Sequence, residues 1–321
     1  MHLVLPHDTY GRDRGLFFGN NLPFILGSNI AGIVQSVGEN VTKYTAGQHI
    51  YGQGRPLDPT PDSTGLQEYA ILRHDFSAPV PLGFTDDQLV TLPANATASF
   101  AALFHQDWFG FIPPFSSVET QEKPNYDQQA IVIIGAGSNS GKLAIQFARI
   151  RGIGTIIAVA SISGAPELKE LGATHVVDRH STTIVEEVQA IAGDPNSVTH
   201  VYDCVNWTHE LAAALVSSTR PSFIAMLHRS PNVSDELTRL EKGNCVAKTV
   251  TGSKNNFAGN PIGDLFWENL GPWVQQGKVK IQKYRTIEGL DERRINDALD
   301  SYRDGKPVLQ AIVHPGAAVD P

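Results

Sequence analysis

Residues 130–161, AIVIIGAGSNSGKLAIQFARIRGIGTIIAVAS, constrain the chain more than any other stretch. Ala130 to Ile134 is wholly apolar and mostly β-branched, the composition of a strand buried on both faces of a parallel sheet. A turn carrying Gly135, Gly137 and Gly141 follows at once. Leu143, Phe147 and Ile150 then recur at helical spacing, with Ala144 and Ala148 on the same face. After Gly152 and Gly154 a second β-rich run extends from Thr155 to Val159. Strand, helix and strand make a βαβ unit, which commits this part of the chain to a parallel sheet joined by right-handed crossovers.

The turn between strand and helix suits the binding of a pyrophosphate. Glycine lets the backbone approach phosphate closely, and a helix N-terminus presents N–H groups and partial positive charge. Ser138, Asn139 and Ser140 add side-chain donors. The spacing is GxGxxxG, and its place after a buried strand and before an amphipathic helix is that of a dinucleotide fold. The other reading is a glycine-rich turn in a different parallel α/β protein. Dinucleotide sites that take NAD place an acid about 20 residues beyond the glycines, on the ribose 2′-hydroxyl. Ser161 stands there instead, a residue that hydrogen-bonds a 2′-phosphate rather than repelling it. Lys169 and Arg179 lie close behind in sequence as sources of positive charge, unless they are solvated surface cations. The expected cofactor is NADP(H).

A length of 321 residues accommodates two lobes. The net charge of −8 argues against a nucleic-acid surface, which needs a basic face. Two cysteines, Cys204 and Cys245, supply no disulfide framework and no cysteine-rich metal cluster. No apolar run approaches the roughly 18 residues that span a bilayer, and MHLVLPHDTYGRDRG lacks the pattern of a secretion signal. The expected setting is cytoplasmic, with a small-molecule substrate, no nucleic acid and no membrane.

Residues 23–52, PFILGSNIAGIVQSVGENVTKYTAGQHIYG, read as a compact β unit: Val34 and Val37 lie in a β-rich run, Gly38 to Asn40 turns, and a strand covers His49 to Tyr51. This segment resembles the medium-chain dehydrogenase/reductase superfamily: a Leu-Gly pair, Ala-Gly-Ile-Val, Val-Gly, then Gly before Ile-Tyr-Gly. The resemblance continues through GLQEYAI (65–71), LPANATASFAALF (92–104), the glycine-rich unit, ELKELGATHVVD (167–178) and ALDSYRDGKPVLQAIVHP (298–315). It implies an α/β chain in which a doubly wound Rossmann domain is inserted in a GroES-like β domain built from both ends. The boundaries expected are 1–92, 93–257 and 258–321. Strand-like runs at 131–134, 156–159, 175–177, 200–202 and 223–226 agree with the inserted sheet. Residues 108–129 read as a proline-containing connector. Helices are expected over 265–276 and 291–303, with Gly277 and Gly305 as stops and Phe266, Trp267 and Trp273 as packing residues.

Alcohol dehydrogenases of this superfamily hold a catalytic zinc through a Cys and the His of a Gly-His-Glu triplet. The matching residues are Leu5 and, in Gly27-Ser28-Asn29, Ser28. Neither is a useful zinc ligand, so the resemblance is to zinc-free quinone oxidoreductases and enoyl reductases, in particular fungal enoyl reductases that assist polyketide synthases. His7, His49 and His105 stand as isolated candidate ligands, although a lone His more often reads as a surface or hydrogen-bonded residue. The implied reaction is hydride transfer from NADPH to a quinone, an enone or an enoyl thioester. Without metal, hydrogen-bond donors must stabilise the developing enolate. Tyr10, in DTYGRDRG, matches an active-site Tyr of quinone-reductase-like members, with Asn29 and Thr97 as further polar candidates. Thr97 stands one place before the family's usual Thr. Thr251, Gly252, Ser253 and Asn256 match a loop that wraps the nicotinamide amide, and Asp203 matches a structural Asp. Family members are often homodimers.

The resemblance also implies strands ahead of LPHDTYG. Met1 to Leu5 is therefore expected to be the tail of a strand whose partners are missing, and the chain an N-terminally truncated gene product. Two other readings stand beside the reductase: a catalytically inactive nucleotide-binding paralogue, and a zinc alcohol dehydrogenase whose ligands are not found.

Overall fold

The computed structural model describes residues 1–54, 60–115, 124–251, 261–306 and 308–316. The chain divides into two compact units, residues 1–94 with 253–321, and residues 95–252.

The first unit opens with strand β1 (His2–Val4) and helix α1 (Pro6–Arg14) and continues through β2 (Asn29–Ile33), β3 (His49–Gln53), β4 (Ser77–Pro79) and α2 (Asp86–Val90). Helix α3 (Pro93–Phe104) carries the chain out of it. The second unit alternates β5 (Ala130–Ile134), α4 (Asn139–Arg151), β6 (Thr155–Ala160), α5 (Ala165–Leu171), β7 (His175–Asp178) and α6 (Ile184–Ala192). It goes on with β8 (His200–Asp203), α7 (Glu210–Leu215), β9 (Ser222–Met226), α8 (Val233–Arg239) and β10 (Cys245–Thr249). The chain returns to the first unit with α9 (Pro261–Gln275), β11 (Tyr284–Glu288), α10 (Glu292–Arg303) and β12 (Gln310–His314).

In the second unit the six strands lie in the order β10-β9-β8-β5-β6-β7, every pair parallel. The five strands read from the sequence are there; β10 is an edge strand of alternating burial that the sequence reading did not find. All five residues of β5 are buried, as a strand covered by helices on both faces must be. The chain runs outward through β6 and β7, then crosses to β8 on the other side of β5. That reversal opens a crevice at the carboxyl ends of β5 and β8, the place where doubly wound sheets take their ligands.

In the first unit the order is β11-β12-β1-β2-β3-β4, antiparallel except for β11 against β12. β1 is hydrogen-bonded on both sides, with Leu3 opposite Ile312 and Asn29. The strand expected to lack partners therefore has them, one supplied by the far end of the chain. Val4, Ile287, Ile295, Leu299, Ala311 and Val313 form a core under α10. β2 stops at Ile33; Val34 adds backbone bonds to Gln48 and Gly47, while Val37 is exposed. Helix α1 was not expected. Pro6 begins it, Asp8 Oδ2 accepts the Leu5 N–H at 2.9 Å, and Gly15 ends it at φ +67°. The helices α9 and α10 lie where the sequence placed them, Gly277 and Gly305 take positive φ, and Phe266, Trp267 and Trp273 are buried.

Candidate functional site

The turn between β5 and α4 shows why each glycine is there. Gly135 has φ +72°, and a Cβ on it would meet the Val205 side chain at 2.5 Å. A Cβ on Gly141 would strike the Gly135 carbonyl oxygen at 2.5 Å and the Ala136 Cα at 2.6 Å, so helix and turn close against each other only with glycine. Gly137 differs. The nearest protein atom to its Cβ position is 3.9 Å away, an ordinary contact, so the fold itself does not demand glycine there. The open space above Gly137 fits a phosphate-bearing ligand lying against the backbone. Ser138 caps α4, its Oγ accepting from the Gly141 N–H at 3.1 Å. Asn139 opens the helix. Ser140 leaves the expected set of donors: it is buried, and its hydroxyl donates to Asn95 Oδ1 at 3.1 Å.

Ser161 follows β6 and is exposed, its hydroxyl 2.9 Å from that of Ser163. The Arg179 N–H donates to the Ala160 carbonyl at 2.8 Å, which sets Arg179 beside Ser161 at the ends of adjacent strands. Arg179 is exposed, with Nε donating to His180 Nε2 at 3.2 Å. Lys169 is exposed on α5, a helix away. Ser163 was not singled out in the sequence; the short helical turn over 162–164 brings it back to Ser161. Gly252 and Ser253, with Asn256, lie outside the described residues, while Thr251 is exposed at the end of the described segment.

Asp203, at the carboxyl end of β8, is fully buried and structural. Its carboxylate accepts from the N–H groups of Val205 and Asn206, at 3.2 and 3.0 Å, and from His209 Nδ1 at 2.8 Å. His209 Nε2 donates to the His228 carbonyl at 2.8 Å. Burial acts first to lower the His209 pKa, but these bonds override it and the net shift is upward. Burial would raise Asp203, yet His209 and the backbone donors hold it below the usual carboxylate range. The pair fastens the loop that carries Val205 onto Gly135.

The expected catalytic residues are not all available. Tyr10 is half-buried on α1, with the Arg14 guanidinium 5.7 Å from its ring centre. Asn29 is fully buried: Nδ2 donates to the Val90 carbonyl at 2.8 Å and Oδ1 accepts the Ala94 N–H at 2.9 Å. Its amide is spent on tying β2 to α2 and α3, not on a ligand. Thr97 is likewise fully buried, within α3. The structure instead brings His7, on the first turn of α1, to Ser28, with Nε2 and Oγ 2.9 Å apart. Leu5 is buried and apolar. Among the described residues no group of three His, Cys, Asp or Glu side chains is placed to hold a metal ion, and no helix is long and apolar enough to cross a membrane.

Residues 4–82 match the family described as alcohol dehydrogenase GroES-like domain, and residues 141–222 the family described as zinc-binding dehydrogenase. A trans-enoyl reductase of Aspergillus flavipes, tndF, is 30% identical over 319 residues, covering 96% of this chain and 87% of that protein. Dehydrogenase pigH of Monascus ruber is 30% identical over 190 residues, 58% of this chain and 50% of that protein, so this match spans about half of that relative's length. Among solved structures, the quinone oxidoreductase of Escherichia coli complexed with NADPH has the same fold, with a TM-score of 0.74 at 18% identity, covering 98% of this chain and 90% of that one.

Proposed function

From the premise that the chain belongs to the medium-chain dehydrogenase/reductase superfamily and is an oxidoreductase of that family, we propose that it is an NADPH-dependent, zinc-independent reductase. Its acceptor is an activated double bond or carbonyl, in an enone, a quinone or an enoyl thioester. The similarity to a trans-enoyl reductase supports the acceptor class. The choice of NADPH rests on one observation: β6 is followed by Ser161, with Ser163 and Arg179 beside it, and with no acid at the position where a carboxylate would repel a 2′-phosphate. The glycine turn receives the pyrophosphate against Gly137 and the N-terminus of α4.

When bound, the reduced nicotinamide supplies hydride. The chain's own part is to orient the acceptor and stabilise the charge that develops on its oxygen, because Leu5 and Ser28 offer no metal ligand at the positions where relatives hold zinc. Tyr10, one helical turn beyond His7 on α1, is the candidate to supply a proton.

Calorimetric titration of the chain with NADPH and with NADH tests the reading. The expected result is binding of NADPH at least tenfold tighter, about 1.4 kcal/mol, followed by NADPH oxidation with an enone, a quinone or an enoyl thioester. Preference for NADH removes the phosphate-site argument. Tight NADPH binding with no turnover on any acceptor favours an inactive nucleotide-binding protein.

A further inference from the structure

Strand pairing in the second unit sets an acid beside the nucleotide site that spacing along the chain does not announce. Ala160, the last residue of β6, stands opposite Asp178, the last residue of β7. Residues paired in this way direct their side chains to one face of the sheet. On that face Ala160 Cβ lies 3.9 Å from where a Cβ of Gly137 would be, so Asp178 shares the face that carries the glycine turn. Asp178 is half-buried, and Arg179 and His180 after it are exposed. The chain then turns tightly. The Ser181 N–H donates to the Asp178 carbonyl at 3.0 Å, closing a β-turn with Arg179 and His180 at its centre. The Arg179 N–H donates to the Ala160 carbonyl at 2.8 Å, which fixes this turn against the end of β6.

Two opposite charges are thus neighbours in sequence at the edge of the nucleotide site. Elsewhere in this chain such neighbours pair: Arg12 Nε donates to Asp13 Oδ1 at 2.7 Å, and Arg303 Nε to Asp304 Oδ1 at 2.9 Å. Asp178 and Arg179 do not, because His180 engages both of them. Its backbone N–H donates to Asp178 Oδ1 at 3.1 Å, and its ring Nε2 accepts from Arg179 Nε at 3.2 Å. A ring nitrogen that accepts carries no proton, so the imidazole is the tautomer protonated at Nδ1. Arg179 keeps both terminal nitrogens of its guanidinium for another partner, and a guanidinium fork matches the oxygens of a phosphate. Ser161 and Ser163, their hydroxyls 2.9 Å apart, stand after β6 as further donors.

On the NADPH reading of this same site, we infer that His180 is a positioning residue for nucleotide choice: it withholds Arg179 from Asp178 and so leaves the guanidinium for the 2′-phosphate. The pocket then holds opposed charges in a balance that His180 sets. With Arg179 tethered to the imidazole, the cation faces the phosphate and NADPH is favoured. With Arg179 released onto Asp178, the two charges cancel and NADPH loses its advantage over NADH. Asp178 is the counterweight, a carboxylate brought to the site by β7 rather than by the strand that precedes Ser161.

Calorimetric titration of the whole chain with adenosine 2′,5′-bisphosphate and with 5′-AMP isolates the 2′-phosphate from the rest of the cofactor. His180→Ala is expected to weaken binding of the bisphosphate about fivefold, the scale of immobilising one long side chain, and to leave 5′-AMP binding unchanged. His180→Gln, whose amide oxygen accepts in place of Nε2, keeps the parent affinity. Asp178→Asn retains an acceptor for the His180 N–H and removes the charge. Alone it tightens the bisphosphate about threefold, the scale of one exposed charge. In the His180→Ala background it also recovers the affinity lost there, because Arg179 has no carboxylate to pair with. Unchanged affinity for the bisphosphate in His180→Ala, an equal loss of both ligands, or effects of the two substitutions that simply add overturns the assignment and leaves the NADPH reading standing. A parent chain that binds the bisphosphate no more tightly than 5′-AMP defeats the NADPH reading itself, and the assignment with it.

Discussion

The two sheets of this protein, six strands each among the described residues, are held together by different kinds of neighbour. In the second unit each strand pairs in parallel with others of the same inserted segment, and its central strand β5 is buried residue for residue. In the first, β1 is clamped between β2 and a strand from the other end of the chain, and Thr9 Oγ1 donates to the Leu299 carbonyl at 2.9 Å. Asn29 ties β2 to Val90 and Ala94 in the first unit, and the glycine turn of the second closes only where no Cβ intervenes. The first unit is therefore vulnerable to a lost long-range bond between its chain ends and the second to a lost close approach at its turn.

The sharpest test of that contrast is a pair of glycine substitutions in the second unit. Gly141→Ala drives a methyl group into the Gly135 carbonyl and the Ala136 Cα, backbone that cannot step aside. It is expected to cost about 3 kcal/mol in denaturant unfolding. Gly137→Ala meets nothing closer than 3.9 Å, so stability should hold while NADPH affinity, read by calorimetry, falls by more than the tenfold of about 1.4 kcal/mol. Equal destabilisation by both would break the assignment of Gly137 to ligand rather than fold.

Asn29→Ala comes next. It strands the Val90 carbonyl and the Ala94 N–H, both previously satisfied by one buried amide, at a cost of about 2 kcal/mol. The midpoint of unfolding measures it; a neutral result would mean that water or relaxation satisfies those groups.

Two histidines, one in each unit, should respond to pH with opposite sign. His209 has a folded pKa above its ordinary 6.5, so its contribution is full below that value and is lost as pH rises through the folded pKa. Its partner Asp203, held low, contributes above the ordinary carboxylate value and loses its part only as pH falls through its own depressed pKa. His7 is shifted below 6.5, so its neutral form is favoured by folding above that value and the contribution is lost as pH falls below it. Amide hydrogen exchange near about pH 5.5 and about pH 8 should therefore loosen the segment around His7 on the acid side and the loop held by Asp203 and His209 on the alkaline side. His200, lowered by burial to about 4, and His228, lowered by burial, also weaken the second unit on the acid side. His209→Gln should flatten the alkaline response alone.

The smallest effect expected is on nucleotide choice. Arg179→Ala should narrow the preference for NADPH over NADH by about tenfold, about 1.4 kcal/mol, without changing NADH binding. A loss shared by both nucleotides would place Arg179 on the pyrophosphate or the fold instead.

Much of the second unit was legible in the residues. A strand covered on both faces must be apolar along its whole length, so 130–134 and 156–159 announce themselves; in the first unit, Gly277 and Gly305 mark helix ends because they adopt the left-handed backbone. β10 escaped notice because two of its five residues are exposed and none is fully buried. Helix α1 escaped because HDTYGRDR has no apolar stripe; Pro6, Asp8 and Gly15 were its only signals, a start, a reaching carboxylate and a stop. The candidate site divides along the same line. The glycine turn and Ser161 could be read from spacing, whereas Ser140 and Asn29, polar and well placed in sequence, proved to be spent inside the protein.

The amino-acid sequence by itself determined the parallel sheet, its glycine turn and the want of an acid at the end of β6, because these depend on residues within a few positions of one another. Only the tertiary structure decided that β1 has partners on both sides, that Asn29 is a brace, and that His7 meets Ser28. Those facts join residues 21 to about 310 positions apart, and no local periodicity records which distant groups will share a buried hydrogen bond.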